Sequence, residues 1–225
     1  MIKKEKFLIA EYKDIELRQQ DAVKVRGYFA DMDKSDTFMH NHLKTGGNIY
    51  KYPEVQYKVL YKHPFIIAFG NGINSLYPKL MGIEYVTIGN RKYNNPDLQI
   101  RLETKTIGDC EQTLQYKFLT PWLALNQENY RKYTVLETNF EKIQMLENIL
   151  TGNILSMCKG FNVRLERKIN VLSELESIPV KFKGETMIGF TGKFTVNARL
   201  PAFCGIGKGV SRGMGTIALA GENLY

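Results

Sequence analysis

A chain of 225 residues that is 44% hydrophobic and 24% charged can fill one large domain or two of about 100 residues, which excludes a disordered or fibrous class. Its formal charge is +8, from 31 Lys and Arg against 23 Asp and Glu. That excess favours an anionic partner, nucleic acid first and an anionic membrane second, with lysine-rich solubility as the plain alternative. No run approaches the ~20 consecutive apolar residues of a membrane span. The basic start MIKKEKFLIAEY is cut short by Glu11 before it makes a signal peptide. Cys110, Cys158 and Cys204 are few and far apart with no C-x-x-C pair, so they suggest neither a disulfide framework nor a zinc site. A reducing cytoplasm is the expected location.

In chain order, Lys6 to Tyr12 reads as a strand, and Ala22, Val25, Phe29 and Met32 have helical spacing. The polar stretch DKSDTFMHNHLKTGGNIYKYPE has no period and reads as a loop. Val55 to Tyr61 and Pro64 to Gly70 read as strands around Lys62-His63, and Asn74 to Met81 as a short helix. Tyr85 to Arg91 and Leu98 to Thr106 then predict a hairpin across the turn cluster Asn94-Asn95-Pro96-Asp97. The order β-α-β-β-α-β is the ferredoxin-like arrangement.

The order partly repeats after a boundary near Gly108, giving two expected domains, 1–108 and 109–225. Leu114 to Leu119 is a strand. A long helix follows from about Asn139 to Lys159, its stripe Ile143, Leu146, Leu150, Ile154 and Met157 at steps of three and four. Asn139 is its expected N-cap and Gly160 its stop. Strands are expected near Val163 to Leu172, Ile178 to Lys183, Met187 to Ala198 and Thr216 to Ala220. The second helix of a complete repeat is missing or replaced by Leu200 to Met214. The fold class is therefore α+β, tandem ferredoxin-like domains with a partly degenerate second copy.

Across the end of that stretch, Gly205, Gly207, Gly209, Gly213 and Gly215 fall in eleven residues, with Lys208, Ser211 and Arg212 among them. Neither G-x-G-x-x-G nor G-x-x-x-x-G-K-[ST] fits, because Val210 and Ala202 stand where glycines are needed and a strand, not a helix, follows. Two readings remain: a tight connection needing φ > 0 at several sites, or a nest of N–H groups for phosphate.

Only three histidines occur. His40 and His42 share the polar loop, where two imidazoles can divide the work of acid and base. Lys34, Lys44 and Tyr50 stand close enough in sequence to add charge or a further donor. An incidental H-x-H, or two ligands of a metal whose third would be Asp33, Asp36 or His63, are the alternatives, and no spacing supports the metal. His63, before Pro64, reads as structural, and Trp122 reads as core. Tyr50, Tyr52, Tyr57 and Tyr61 alternate with Lys51, Lys58 and Lys62, which suits base stacking or a half-buried edge strand equally.

Taken together, Gly205-Ile206-Gly207 and Gly213-Met214-Gly215, the step Val25-Arg26-Gly27-Tyr28, the stretch YPEVQYKVLYKHPFIIAFGNG and the pair His40 and His42 resemble one family. It is that of the CRISPR repeat-processing endoribonucleases of the RAMP superfamily, in the subgroup with a histidine pair. The resemblance implies a metal-independent endoribonuclease, without cofactor, that cuts CRISPR precursor RNA at its repeats by 2′-hydroxyl attack. It implies His40 and His42 as acid and base, with Lys44 and Tyr50 in support. Gly205, Gly207, Lys208, Ser211, Arg212, Gly213 and Gly215 would contact RNA. Expected partners are repeat RNA and a second copy or a CRISPR effector complex, with no membrane and no DNA required. The rival is a non-catalytic RAMP subunit that holds guide RNA as scaffold. A generic RRM is disfavoured by the absence of an RNP1-like run.

Overall fold

The computed structural model describes residues 2–33, 36, 38 and 51–221, which form an α+β protein. They cluster into two compact units. One comprises Lys4–Lys105 with Val210–Gly213, the other Met1–Lys3, Thr106–Gly209 and Met214–Tyr225. Among the described residues no helix is long and apolar enough to cross a membrane.

The N-terminal unit runs β1 (Ile2–Tyr12), α1 (Ala22–Met32), β2 (Val55–Leu60), β3 (His63–Phe69), α2 (Asn71–Met81), β4 (Tyr85–Ile88), β5 (Arg91–Asn94) and the start of β6 (Leu98–Phe118). The strand order is β2-β3-β1-β6. The first and third strands are central and the last strand lies beside the first, as in a ferredoxin-like sheet. Val25 and Phe29 of α1 and Leu76 and Leu80 of α2 pack on Leu8, Tyr12, Tyr57 and Ile66 of the sheet. The Phe29 ring stacks on Tyr57 at 5.7 Å.

The expected hairpin of Tyr85–Arg91 with Leu98–Thr106 does not form. The chain turns earlier, where Gly89 adopts φ 62°, and β4 pairs with β5 in a separate two-stranded sheet. The Asn94–Asp97 turn is real, with Asn95 at φ 45°, but it delivers the chain to a place beside β1, where the Lys13 amide donates to the Asp97 carbonyl at 2.9 Å.

The C-terminal unit holds the rest of β6, α3 (Gln127–Val135), α4 (Asn139–Gly160), β7 (Val171–Phe182), β8 (Glu185–Arg199) and β9 (Ile217–Leu219). Strand β6 lies between β8 and β9, with Tyr116 opposite Phe194 on one side and Leu219 on the other. The order β7-β8-β6-β9 repeats that of the first unit. Its second crossover, from β8 to β9, contains only a 3-10 turn at Val210–Arg212, so the helix expected there is replaced.

Four boundaries differ from expectation. The two segments Leu98–Thr106 and Leu114–Leu119 are one strand, with a register shift between Asp109 and Leu114. Val163–Leu172 is not a strand until Val171, because the Asp109 carboxylate accepts from the Glu166 and Arg167 amides at 3.2 Å and holds the chain out of the ladder. The strand then runs unbroken to Phe182. The N-cap of α4 is Thr138, not Asn139: its hydroxyl accepts from the Glu141 amide while its own amide donates to the Glu141 carboxylate at 3.1 Å. This is a reciprocal capping box. Helix α3 has no apolar stripe and no buried residue, which removes the signal by which periodicity finds helices.

Both sides of segment 39–50 are fastened to α2. On one side the Asp36 carboxylate accepts from Lys79 Nζ at 2.6 Å and from the Ser75 hydroxyl. On the other, the Glu54 carboxylate accepts from the Gly72 amide at 3.1 Å, and a Cβ on Gly72 would lie 2.7 Å from the Glu54 carbonyl oxygen. Burial works to raise the Asp36 carboxyl, but the hydrogen bonds from Lys79 and Ser75 outweigh it and hold it below its usual range.

Three stability measurements follow from this geometry. Gly215 has φ 63°, and a Cβ there would lie 2.0 Å from the Ile206 carbonyl oxygen. Gly215→Ala should cost roughly 2–4 kcal/mol, read as a lowered denaturation midpoint. Gly152, inside α4 with nothing within 4 Å of its added Cβ, should respond oppositely. Gly152→Ala should stabilise by about 0.5–1 kcal/mol. Asp36→Asn should destabilise at pH 7, where the wild-type carboxylate is ionised. Because the folded-state pKa is lowered, that difference should shrink as pH falls below the ordinary aspartate value of about 3.9 and through the depressed one. Thermal midpoints of both proteins at pH 7 and pH 3 check it.

Candidate nucleic-acid interface

The glycine loop is shaped by the exclusion of side chains. In the C-terminal unit, Trp122 is fully buried, stacks on Phe118 with rings 3° from parallel, and donates from its indole N–H to the Asn153 side-chain oxygen at 3.1 Å. A Cβ on Gly207 (φ 85°) would lie 2.5 Å from that indole nitrogen. The Trp122 expected in the core is there, and it dictates a glycine beside it.

Backbone hydrogen bonds fix the rest. The Ile206 amide donates to Gly215, the Gly215 amide to Pro121 and the Met214 amide to Gly209, at 2.8, 2.8 and 3.2 Å. The Thr216 amide donates to the Thr120 hydroxyl at 2.8 Å. Gly205 and Gly215 are buried, while Gly207 and Lys208 are exposed. The tight-connection reading therefore accounts for Gly207, Gly209, Gly213 and Gly215, whose φ values lie between 63° and 85°, and several of the loop's N–H groups are already engaged.

In the N-terminal unit, the turn Val210–Gly213 packs on α1 and β2. A Cβ on the buried Gly213 (φ 82°) would lie 3.1 Å from the Tyr57 carbonyl oxygen and 3.2 Å from the Ala22 Cβ. Ser211 and Arg212 are half-buried. Arg26 of α1 lies close enough to feel the Arg212 charge: burial first, and then that like charge, lower the Arg26 pKa. Gly27 has nothing within 4 Å of an added Cβ, so packing does not require it.

The lysine–aromatic alternation of β2 resolves against base stacking at its centre. Tyr57 and Lys58 are both 0% exposed, and Lys58 Nζ donates to the Gln56 side-chain oxygen at 2.8 Å. Burial pushes the Tyr57 hydroxyl far above the usual tyrosine value. Tyr61, 53% exposed, keeps its ring at the surface. His63 is structural, its Nδ1 bonded to the Ile15 carbonyl at 3.1 Å. His40, His42, Lys44 and Tyr50 lie outside the described residues.

Sequence reasoning missed α3. Its signals were the N-cap Asn126, whose side chain accepts from the Asn129 amide at 2.7 Å, and the pair Glu128–Lys132 at i,i+4.

Residues 5–106 match the model of the Cas6b N-terminal domain and residues 108–220 that of the Cas6b C-terminal domain. The structure is similar to a crystal structure of Cas6b, with 35% identity, a TM-score of 0.92, and coverage of 96% of this chain and 100% of that one. It is similar to a crystal structure of the CRISPR RNA processing endoribonuclease Cas6b at 32% identity and a TM-score of 0.78, again over 96% and 100% of the two chains. The uncharacterized protein MJ0978 of Methanocaldococcus jannaschii is 37% identical over 139 residues, which is 61% of this chain and 94% of that protein. The architecture is the double ferredoxin-like fold of these structures. With both halves matched in order, this chain belongs to the Cas6b family.

Proposed function

We propose that this chain is an endoribonuclease that cuts CRISPR precursor RNA within its repeats, without a metal ion. The observation that carries the reading is the match of both halves to Cas6b domains in a chain whose sequence also holds the pair His40 and His42.

The chemistry needs little beyond two proton carriers, because RNA brings its own nucleophile. One imidazole takes the proton of the 2′-hydroxyl as its oxygen attacks the adjacent phosphorus. The other protonates the leaving 5′-oxygen as the P–O bond breaks. The products are a 2′,3′-cyclic phosphate and a 5′-hydroxyl end. Lys44 stabilises the charge on the crowded phosphorane, and Tyr50 adds a donor. Asp36 and Glu54 serve as positioning residues, since they tie the chain on either side of the pair to α2.

The loop supplies docking. Gly207 and Lys208 offer an exposed backbone and a cation, and Ser211 and Arg212 add a hydroxyl and a second cation. Gly205, Gly213 and Gly215 contribute by letting the backbone hold its shape, consistent with their burial.

His40→Ala and His42→Ala should each slow single-turnover cleavage by about 10²–10⁴-fold while binding of repeat RNA stays nearly intact. RNA with 2′-deoxy at the cleavage position should bind and resist cutting, and EDTA should not inhibit. Wild-type rates from both histidine variants would leave a scaffold subunit as the better reading.

Lys208→Ala and Arg212→Ala should each weaken binding and make log K less steep against log salt by roughly 0.7–0.9, the contribution of one phosphate contact. Fluorescence anisotropy at several salt concentrations reads this. Unchanged affinity and slope in both would reduce the loop to a structural connection.

A further inference from the structure

Within the C-terminal unit a cleft of about 910 Å³ opens between the first turns of α3, the middle of β7 and the start of β8, with Lys208 at its edge. Its size falls in the range of clefts that enclose small molecules, roughly 300–1,000 Å³. Leu125, Ile178, Pro179 and Met187 give it an apolar floor. Tyr130, 47% exposed, presents a ring along one wall. Arg131, Lys208 and Glu185 are exposed at its rim.

Next to Arg131 on the same helix, Lys132 pairs with Glu128 at 2.6 Å. Among the described residues, Arg131, Lys208 and Glu185 make no ion pair. Two cations and one carboxylate thus ring an apolar floor without neutralising one another.

Given RNA as the substrate, we propose that this cleft takes one unstacked nucleobase of the bound strand and reads its identity. The base lies on the apolar floor against the Tyr130 ring, the mode by which proteins hold splayed single-stranded bases. Its flanking phosphates meet Arg131 and Lys208. Glu185 accepts a hydrogen bond from the base edge. A carboxylate only accepts, so the base edge must present a donor: the amino groups of adenine, cytosine and guanine fit, and uracil fits worst, because its one edge donor, N3–H, lies between two carbonyl oxygens that would face the carboxylate. A phosphate on the Glu185 side would meet like charge, which sets the orientation of the nucleotide. Lys208 joins the two sites, since it belongs both to the exposed tip of the glycine loop and to the cleft rim.

The test is an abasic scan of a repeat RNA oligonucleotide, one position at a time, with binding measured for wild type, Tyr130→Ala and Glu185→Gln. In the wild type, loss of the base at one position should weaken binding by about 10-fold, the worth of one base stacked on an aromatic ring. Uracil at that position should weaken it nearly as much. Tyr130→Ala should bind the intact repeat about 10-fold more weakly and lose sensitivity at that position alone, with its salt slope unchanged. Glu185→Gln, which adds an amide donor, should bind the intact repeat and accept uracil there. Tyr130 is on a helix with no buried residue, so its removal leaves the fold intact.

An abasic profile in Tyr130→Ala identical to wild type, while Lys208→Ala still weakens binding, would overturn the cleft proposal and leave the RNA reading standing. The same profile together with self-association that Tyr130→Ala abolishes would make the cleft a protein-docking face instead. A wild-type protein that does not bind repeat RNA would remove both readings.

Discussion

The C-terminal unit depends on a backbone packing so close that it admits no side chain. The carbonyl of Ile206 lies 2.0 Å from where Gly215 would carry a Cβ, and the Ile206 amide returns a hydrogen bond to the Gly215 carbonyl at 2.8 Å. This contact closes the crossover from β8 to β9 without a helix. It sets β9 in register on β6, Phe118 opposite Ile217. A helix would have satisfied its backbone internally; an irregular crossover must find partners elsewhere. Here they are Pro121, Leu123, Thr120 and Gly209. The density of glycine in the sequence is the trace of that constraint.

That answer changes what the glycines mean. Read as a string, five of them around two cations suggest a phosphate nest, in which the N–H groups are the binding surface. In the fold, the Gly213 and Gly215 amides are already bonded to the protein, as are those of Ile206, Lys208 and Met214. What the packing exposes is Gly207 with Lys208, and what it holds half-buried is Ser211 with Arg212. The loop fixes where a few side chains stand.

The element order was legible because the chain's two periods are clean where elements are buried on one face. The stripe Leu146, Leu150, Ile154 and Met157 is buried as its spacing predicts, although Ile143 at its start is 43% exposed. The failures have a common cause: partnership cannot be read from a single strand. Leu98–Thr106 looked like the mate of Tyr85–Arg91 because a turn cluster separates them, yet Gly89 closes a shorter hairpin first. The alternation of β2 fitted a surface and a core equally, and only the packing of α1 and the Val210–Gly213 turn on it decides for the core. Helix α3 left no apolar stripe to find: none of its residues is buried, although the Tyr133 ring packs edge-on against the core residue Phe190.

In the proposed function, the distribution of chemistry follows from the substrate. A strand that carries its own nucleophile asks of a protein two proton carriers and a fixed geometry. Discrimination must then come from docking, where phosphate contacts supply affinity without sequence and only base contacts supply identity. The glycine loop has the features of the first kind: one exposed cation on a rigid backbone. The cleft beside α3 has those of the second: a ring, an apolar floor and a carboxylate acceptor. Lys208 is common to both, so in the proposed docking a backbone held at the loop would bring its next base to the cleft. An enzyme that cuts one repeat among many RNAs would need that coupling, because a phosphate contact that does not position a base adds affinity for every RNA alike.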